Sequence, residues 1–153
     1  MSLMNASEYF ESVRDLEREL RRRVWAVEHA EDTLTRVAGG TGGGMPSGGD
    51  DPSWRMADRI DAYAAQVDRL AATADQLLDA EQEAYDAIRA IQQAPNGDNM
   101  MDALQLRYIC LLENDEIARR MGCTVRTLQR WVDQAFDWYD TLRIFERKPP
   151  RWL

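Results

Sequence analysis

A chain of 153 residues and 17.6 kDa, 44% hydrophobic and 30% charged, is too apolar for a disordered tail and too mixed for a fibre. It is long enough for one folded domain, or for a domain with an extended element. No stretch approaches the roughly 20 uninterrupted apolar residues of a bilayer span, and the acidic, polar start lacks the blocks of a secretion signal, so a cytoplasmic protein is expected.

The formal charge of −8 is unevenly spread. Residues 1–49 carry 6 basic and 8 acidic groups, residues 50–102 carry 4 and 12, and residues 103–153 carry 9 and 7. A surface that gripped nucleic acid throughout would be basic throughout, so only a local patch near the C-terminus suits that role. Two cysteines, Cys110 and Cys123, and one histidine, His29, match no metal spacing; they read as reduced thiols and a surface imidazole. The chain contains no G-x-S-x-G, no H-E-x-x-H and no G-x-x-x-x-G-K-[ST]. Neither catalysis nor a cofactor is expected.

In chain order, Met1-Ser2-Leu3 ahead of Met4 reads as a foreign leader, with natural translation beginning at Met4. From Asn5 to about Ala38, apolar positions Tyr9, Val13, Leu16, Leu20, Val24, Val27 and Leu34 advance by threes and fours, the period of an amphipathic helix. Residues 39–49 hold seven of the nine glycines and read as a flexible loop. Asp51-Pro52 then opens a second helix, which runs to about Gln93 through Met56, Ile60, Tyr63, Val67, Leu70, Ala74, Leu77, Ala84 or Tyr85, Ile88 and Ile91. Its period near 3.5 suits a coiled-coil seam. An antiparallel helical hairpin over residues 4–94 is therefore expected, and its longer second stripe leaves apolar surface for the C-terminal domain or for a second copy of the chain.

Ala94-Pro95-Asn96-Gly97-Asp98 concentrates turn formers and marks a boundary. Beyond it, residues 98–146 read as a separate three-helix domain. Its first helix is capped by Asp98 or Asn99, with Met101, Leu104, Leu106, Tyr108, Ile109 and Leu112 facing inward. A short second helix opens at Glu113-Asn114 with Asp115 and Glu116 in its first turn and ends at Gly122. A third, capped by Thr124, runs through Val125, Leu128, Trp131, Val132, Ala135, Phe136, Tyr139 and Leu142 to Lys148-Pro149-Pro150.

The segment from Asn114 to Trp131 has the pattern of a helix-turn-helix. Ala118 is the small residue two crossing helices need, and Gly122, four later, supplies the positive φ of the turn. Ile117, Met121, Val125, Leu128 and Trp131 or Val132 complete the shared core. On a helical wheel centred at Leu128, Arg126 and Arg130 fall at about 160° and about 200°, on the opposite face, with Thr124, Thr127 and Gln129 beside them. Arginine can grip guanine O6 and N7 in a fork and glutamine can do the same for adenine, so these five residues form a candidate base-reading edge. Asp133 and Asp137 lie further along that face and would repel phosphate, which leaves only the first two turns to enter a major groove. Arg119 and Arg120, ending the preceding helix, are candidate phosphate contacts.

Leu104-x-Leu106-Arg107-Tyr108-Ile109, followed by Asp115-Glu116-Ile117-Ala118-x-x-Met121-Gly122-Cys123-Thr124-x-Arg126-Thr127-x-Gln129-Arg130-Trp131 and Ala135, resembles region 4 of sigma-70-type factors. It is more particularly similar to the phage-encoded, ArpU/RinA-like transcriptional regulators, which order a leading amphipathic helix, a variable loop, a second long helix and a sigma-like helix-turn-helix in this way. The motif covers residues 104–135, and the sequence departs from it where Glu113-Asn114 stands for an aromatic and Trp131 for a smaller residue. The resemblance implies a phage or prophage regulator in a bacterial host, binding double-stranded DNA and contacting RNA polymerase. Two other readings compete: a small terminase-type DNA-packaging subunit, which assembles as a ring, and an interaction scaffold that does not bind DNA.

Overall fold

The computed structural model describes residues 4–39, 52–147 and 152. Every regular element among them is helical. The proposed leader, the glycine-rich loop from Gly40 on, Asp51 and Lys148-Pro149-Pro150 lie outside the described residues.

Helix α1 spans Ala6–Gly39 and α2 spans Pro52–Arg89, a pair of long helices where the periodicity requires them. Asn5 and Glu8 bracket the start of α1 reciprocally: the Glu8 amide donates to Asn5 Oδ1 at 2.8 Å and the Asn5 amide donates to Glu8 Oε2 at 3.2 Å. A further free amide of that first turn, Ala6 N–H, donates to the Asp140 carboxylate at 2.8 Å, so a residue of the last long helix caps the first.

After α2 the chain tightens into a 3-10 turn, Ala90–Gln93, and restarts as α3, Gly97–Leu104. The N-cap is Asn96, in the left-handed region at φ 60°, and not Asp98 or Asn99. Gly97 is required because a Cβ there would overlap the Ile91 carbonyl oxygen. A π-helical turn, Gln105–Ile109, prolongs α3. Helices α4 (Asn114–Met121), α5 (Val125–Thr141) and the single turn α6 (Ile144–Arg147) follow. The non-glycine residues with positive φ among those described, Asn96, Leu111 and Arg143, all stand at helix ends.

The long final helix expected to run to Lys148 stops at Thr141. Arg143 adopts φ 52°, and the chain turns so that Phe145 stacks on Tyr9 with centroids 3.8 Å apart and planes 11° from parallel. Packing against α1 overrides the helical periodicity at this point. Leu142, expected on the inner stripe, is consequently 47% exposed.

Two compact units divide the chain, and the division does not fall at Pro95-Asn96-Gly97. One unit comprises residues up to Glu19 and from Leu77 onward; the other is Leu20–Gln76. In the first, Ala6, Tyr9, Phe10 and Val13 of α1, Ala84 and Ile88 of α2, Leu104 of α3, Tyr108, Ala135 and Tyr139 of α5, and Phe145 form one buried cluster. The expected boundary between hairpin and helix-turn-helix is thus bridged by a shared core, because α1 and α2 contribute the apolar faces that cover α3 and α5. The Tyr139 hydroxyl donates to the Ala87 carbonyl at 2.6 Å, fastening α5 to the last turn of α2. Burial drives the Tyr139 and Tyr9 hydroxyls far above the ordinary tyrosine range, with Glu83 adding to the effect at Tyr9.

In the second unit the stripes are only partly covered. Leu20 and Ala74 are buried and Ile60, Val67 and Leu70 half-buried, while Val24, Trp25, Met56 and Tyr63 are exposed. His29 lies on the surface, stacked on Trp25. No described helix is long and apolar enough to cross a membrane.

Candidate nucleic-acid interface

The corner between α4 and α5 is built by local chemistry. Asp115 and Glu116 occupy the first turn of α4, where the exposed amides favour acids. At its end Gly122 adopts φ 67°, which lets the Cys123 amide reach back to the Ala118 carbonyl at 2.9 Å and close the helix. Thr124 then leaves the helical region and its hydroxyl accepts the Thr127 amide at 3.1 Å, starting α5.

Beneath the corner lies a second, smaller core. Ala103 of α3, Ile117 of α4, and Leu128 and Val132 of α5 are buried together, with Leu106, Leu112, Met121, Cys123 and Phe136 packed at its edge. Ala118 is 4% exposed, as the close crossing requires. Two expected core residues differ. Val125 is 40% exposed, being the first residue of α5 and at the edge of its apolar stripe. Trp131 is half-buried and packs on the larger cluster instead.

All five candidate base-reading residues sit together on the first two turns of α5 or at its cap, and their hydrogen bonds sort them. Thr124 and Thr127 are engaged with each other: the Thr124 hydroxyl, besides capping, donates to Thr127 Oγ1 at 3.0 Å. Gln129 Nε2 donates to Asp133 Oδ1 at 3.0 Å, one helical turn on. Arg126 and Arg130 are exposed, and neither has a hydrogen bond or ion pair among the described residues. Asp133 is close enough in sequence to engage Arg130 but holds Gln129.

The candidate phosphate contacts are already occupied. Arg119 and Arg120 both pair with Glu116, Arg119 through Nη2 to Oε2 and Arg120 through Nε to Oε1 at 2.9 Å. The trio therefore presents one net positive charge. The roles of Glu116 and Asp133 as internal partners were missed, although spacings of three and four residues on a helix are the signal for them. Beside Arg130, the α5 side chains Trp131, Gln134 and Trp138 line a groove of about 510 Å³ against Met100 and Pro95, which no spacing of residues signals.

No group of three or more candidate metal ligands occurs among the described residues, and neither Cys110 nor Cys123 is in a disulfide. Compared with models of protein families, with curated proteins and with solved structures, the chain has no match.

Proposed function

We propose that the chain is a non-catalytic, cofactor-free, sequence-specific DNA-binding regulator of transcription, working in the cytoplasm of a bacterial host that carries phage or prophage genes. Helix α5 would enter the major groove of double-stranded DNA. The long helices would serve self-association, and the acidic chain segment 50–102 would face RNA polymerase rather than DNA. The observation that carries the reading is a pair of unengaged arginines, Arg126 and Arg130, on the exposed face of a helix whose start is fixed by a glycine turn, a threonine cap and a buried core. Two uncommitted guanidiniums one turn apart on a helix held in place suit recognition of base edges. The sigma region 4 resemblance over residues 104–135 agrees with it, and the partly exposed stripes of the second unit agree with a homo-oligomer.

Fluorescence anisotropy of the full chain on a labelled random-sequence duplex, at low and at physiological salt, tests this. Saturable binding that weakens steeply with salt is expected. Loss of that binding in the double variant Arg126→Ala/Arg130→Ala, with unchanged circular dichroism, supports α5 as the contact. Absence of binding to any duplex at low salt overturns the proposal and leaves a protein-interaction scaffold. A ring of eight or more chains by light scattering favours the packaging subunit instead.

A further inference from the structure

Resting on the reading of α5 as a major-groove helix, we infer that the DNA site is specified by two guanines lying within three consecutive base pairs, read by Arg126 and Arg130, while Gln129 takes no part. The inference comes from which polar groups the helix has left uncommitted. Reading adenine demands both ends of a glutamine amide, its NH2 for N7 and its oxygen for N6. In Gln129 one of the two N–H donors is committed to Asp133 Oδ1, so an adenine must either take the remaining N–H in the orientation that Asp133 sets or displace that anionic acceptor. Thr124 and Thr127 hold the start of the helix and each other.

Arg126 and Arg130 carry no such cost. A guanidinium presents parallel N–H donors and no acceptor, and the one base edge in the major groove that offers two adjacent acceptors is guanine O6 with N7. The two residues are separated by four positions, about 6 Å along the helix axis. Stacked bases are about 3.4 Å apart, so a helix lying along the groove spans two steps between its arginines. Entering end-on, it spans less. Either way both guanines fall inside a three-base-pair window, on the same strand or on opposite strands.

Selection of bound duplexes from a randomised library with the full-length protein, followed by anisotropy on the selected duplex, tests the inference. The selected site is expected to contain the guanine pair, and replacing either guanine with adenine is expected to weaken binding by about 5- to 150-fold. Arg126→Ala is expected to abolish discrimination at one guanine and Arg130→Ala at the other, with Gln129→Ala leaving the preference unchanged. Asp133→Ala, which releases the amide, is expected to create a preference for adenine next to the pair. Selected sites without such a pair, or a Gln129→Ala variant that relaxes specificity as much as the arginine variants, overturn the inference while leaving DNA binding in place. Failure to select any duplex overturns DNA binding and the guanine pair together.

Discussion

Phe10 tests whether the helix-turn-helix stands by itself. Its ring is fully buried, and its centroid lies 5.3 Å from Tyr108, 5.5 Å from Phe136, 5.3 Å from Tyr139 and 5.7 Å from Phe145. Truncation to alanine at such a site costs about 3–5 kcal/mol, the loss of transfer energy plus a cavity. The aromatic contacts place Phe10→Ala toward the upper end of that range. Against a total stability of roughly 5–15 kcal/mol for a domain of this size, that is a third or more of the whole. With a urea slope of about 2 kcal/mol per molar, the midpoint is expected to fall by about 2 M. Far-UV circular dichroism measures the fall, and hydrogen exchange locates it: the amides of Leu128 and Val132, in the first half of α5, are expected to lose protection together with those of α2. By the same reasoning a fragment beginning at Asn96 is expected to melt without cooperativity. If α5 keeps its protection in Phe10→Ala, the shared core is not what holds the helix-turn-helix, and the boundary at Pro95-Asn96-Gly97 is real.

Tyr139→Phe removes the donor to the Ala87 carbonyl and is expected to lower stability by about 1–3 kcal/mol in urea titration. Because burial raises the Tyr139 and Tyr9 hydroxyls in the folded state only, their contribution is complete below about pH 10 and is lost as pH climbs above it, where the unfolded tyrosines ionise first. Melting temperatures between about pH 9 and about pH 11 are therefore expected to fall, and less steeply in Tyr139→Phe. Glu116→Gln releases Arg119 and Arg120 and is expected to strengthen binding to random duplex and steepen the slope of log affinity against log salt by up to about one per freed charge; an unchanged slope would remove both arginines from the phosphate contact. Gly122→Ala meets open space but a backbone at φ 67°, so thermal melting is expected to report a loss of about 1–2 kcal/mol from conformation alone.

What the sequence revealed and what it hid divide along the range of the interactions. Gly122 and Thr124 were legible because a left-handed turn and a threonine cap are decided within four residues. The two long helices were legible because their periodicity repeats over many turns. The end of α5 was not, because Arg143 and Phe145 carry no local stop signal and turn only to meet Tyr9. Val125 and Leu142 fit the apolar stripe by angle, but a stripe says nothing of where the opposing surface ends. The same distinction limited the site. The positions of Arg126 and Arg130 follow from a wheel, whereas the pairing of Gln129 with Asp133, and of Arg119 and Arg120 with Glu116, depends on rotamers that a wheel does not fix.

The bond from the Ala6 amide to Asp140 joins residues 134 positions apart, and the stacking of Tyr9 on Phe145 joins a pair as distant. During synthesis α1 emerges before α5 and α6, so the apolar face of Tyr9, Phe10 and Val13 stays only partly covered until those two helices have followed it. Helical proteins usually close their contacts locally and quickly; this one postpones part of its core until α5 and α6 are made. An mRNA truncated within the codons for α5 or α6 would accordingly yield a product with a long unshielded helix, a substrate for chaperones and proteases rather than a partly working protein.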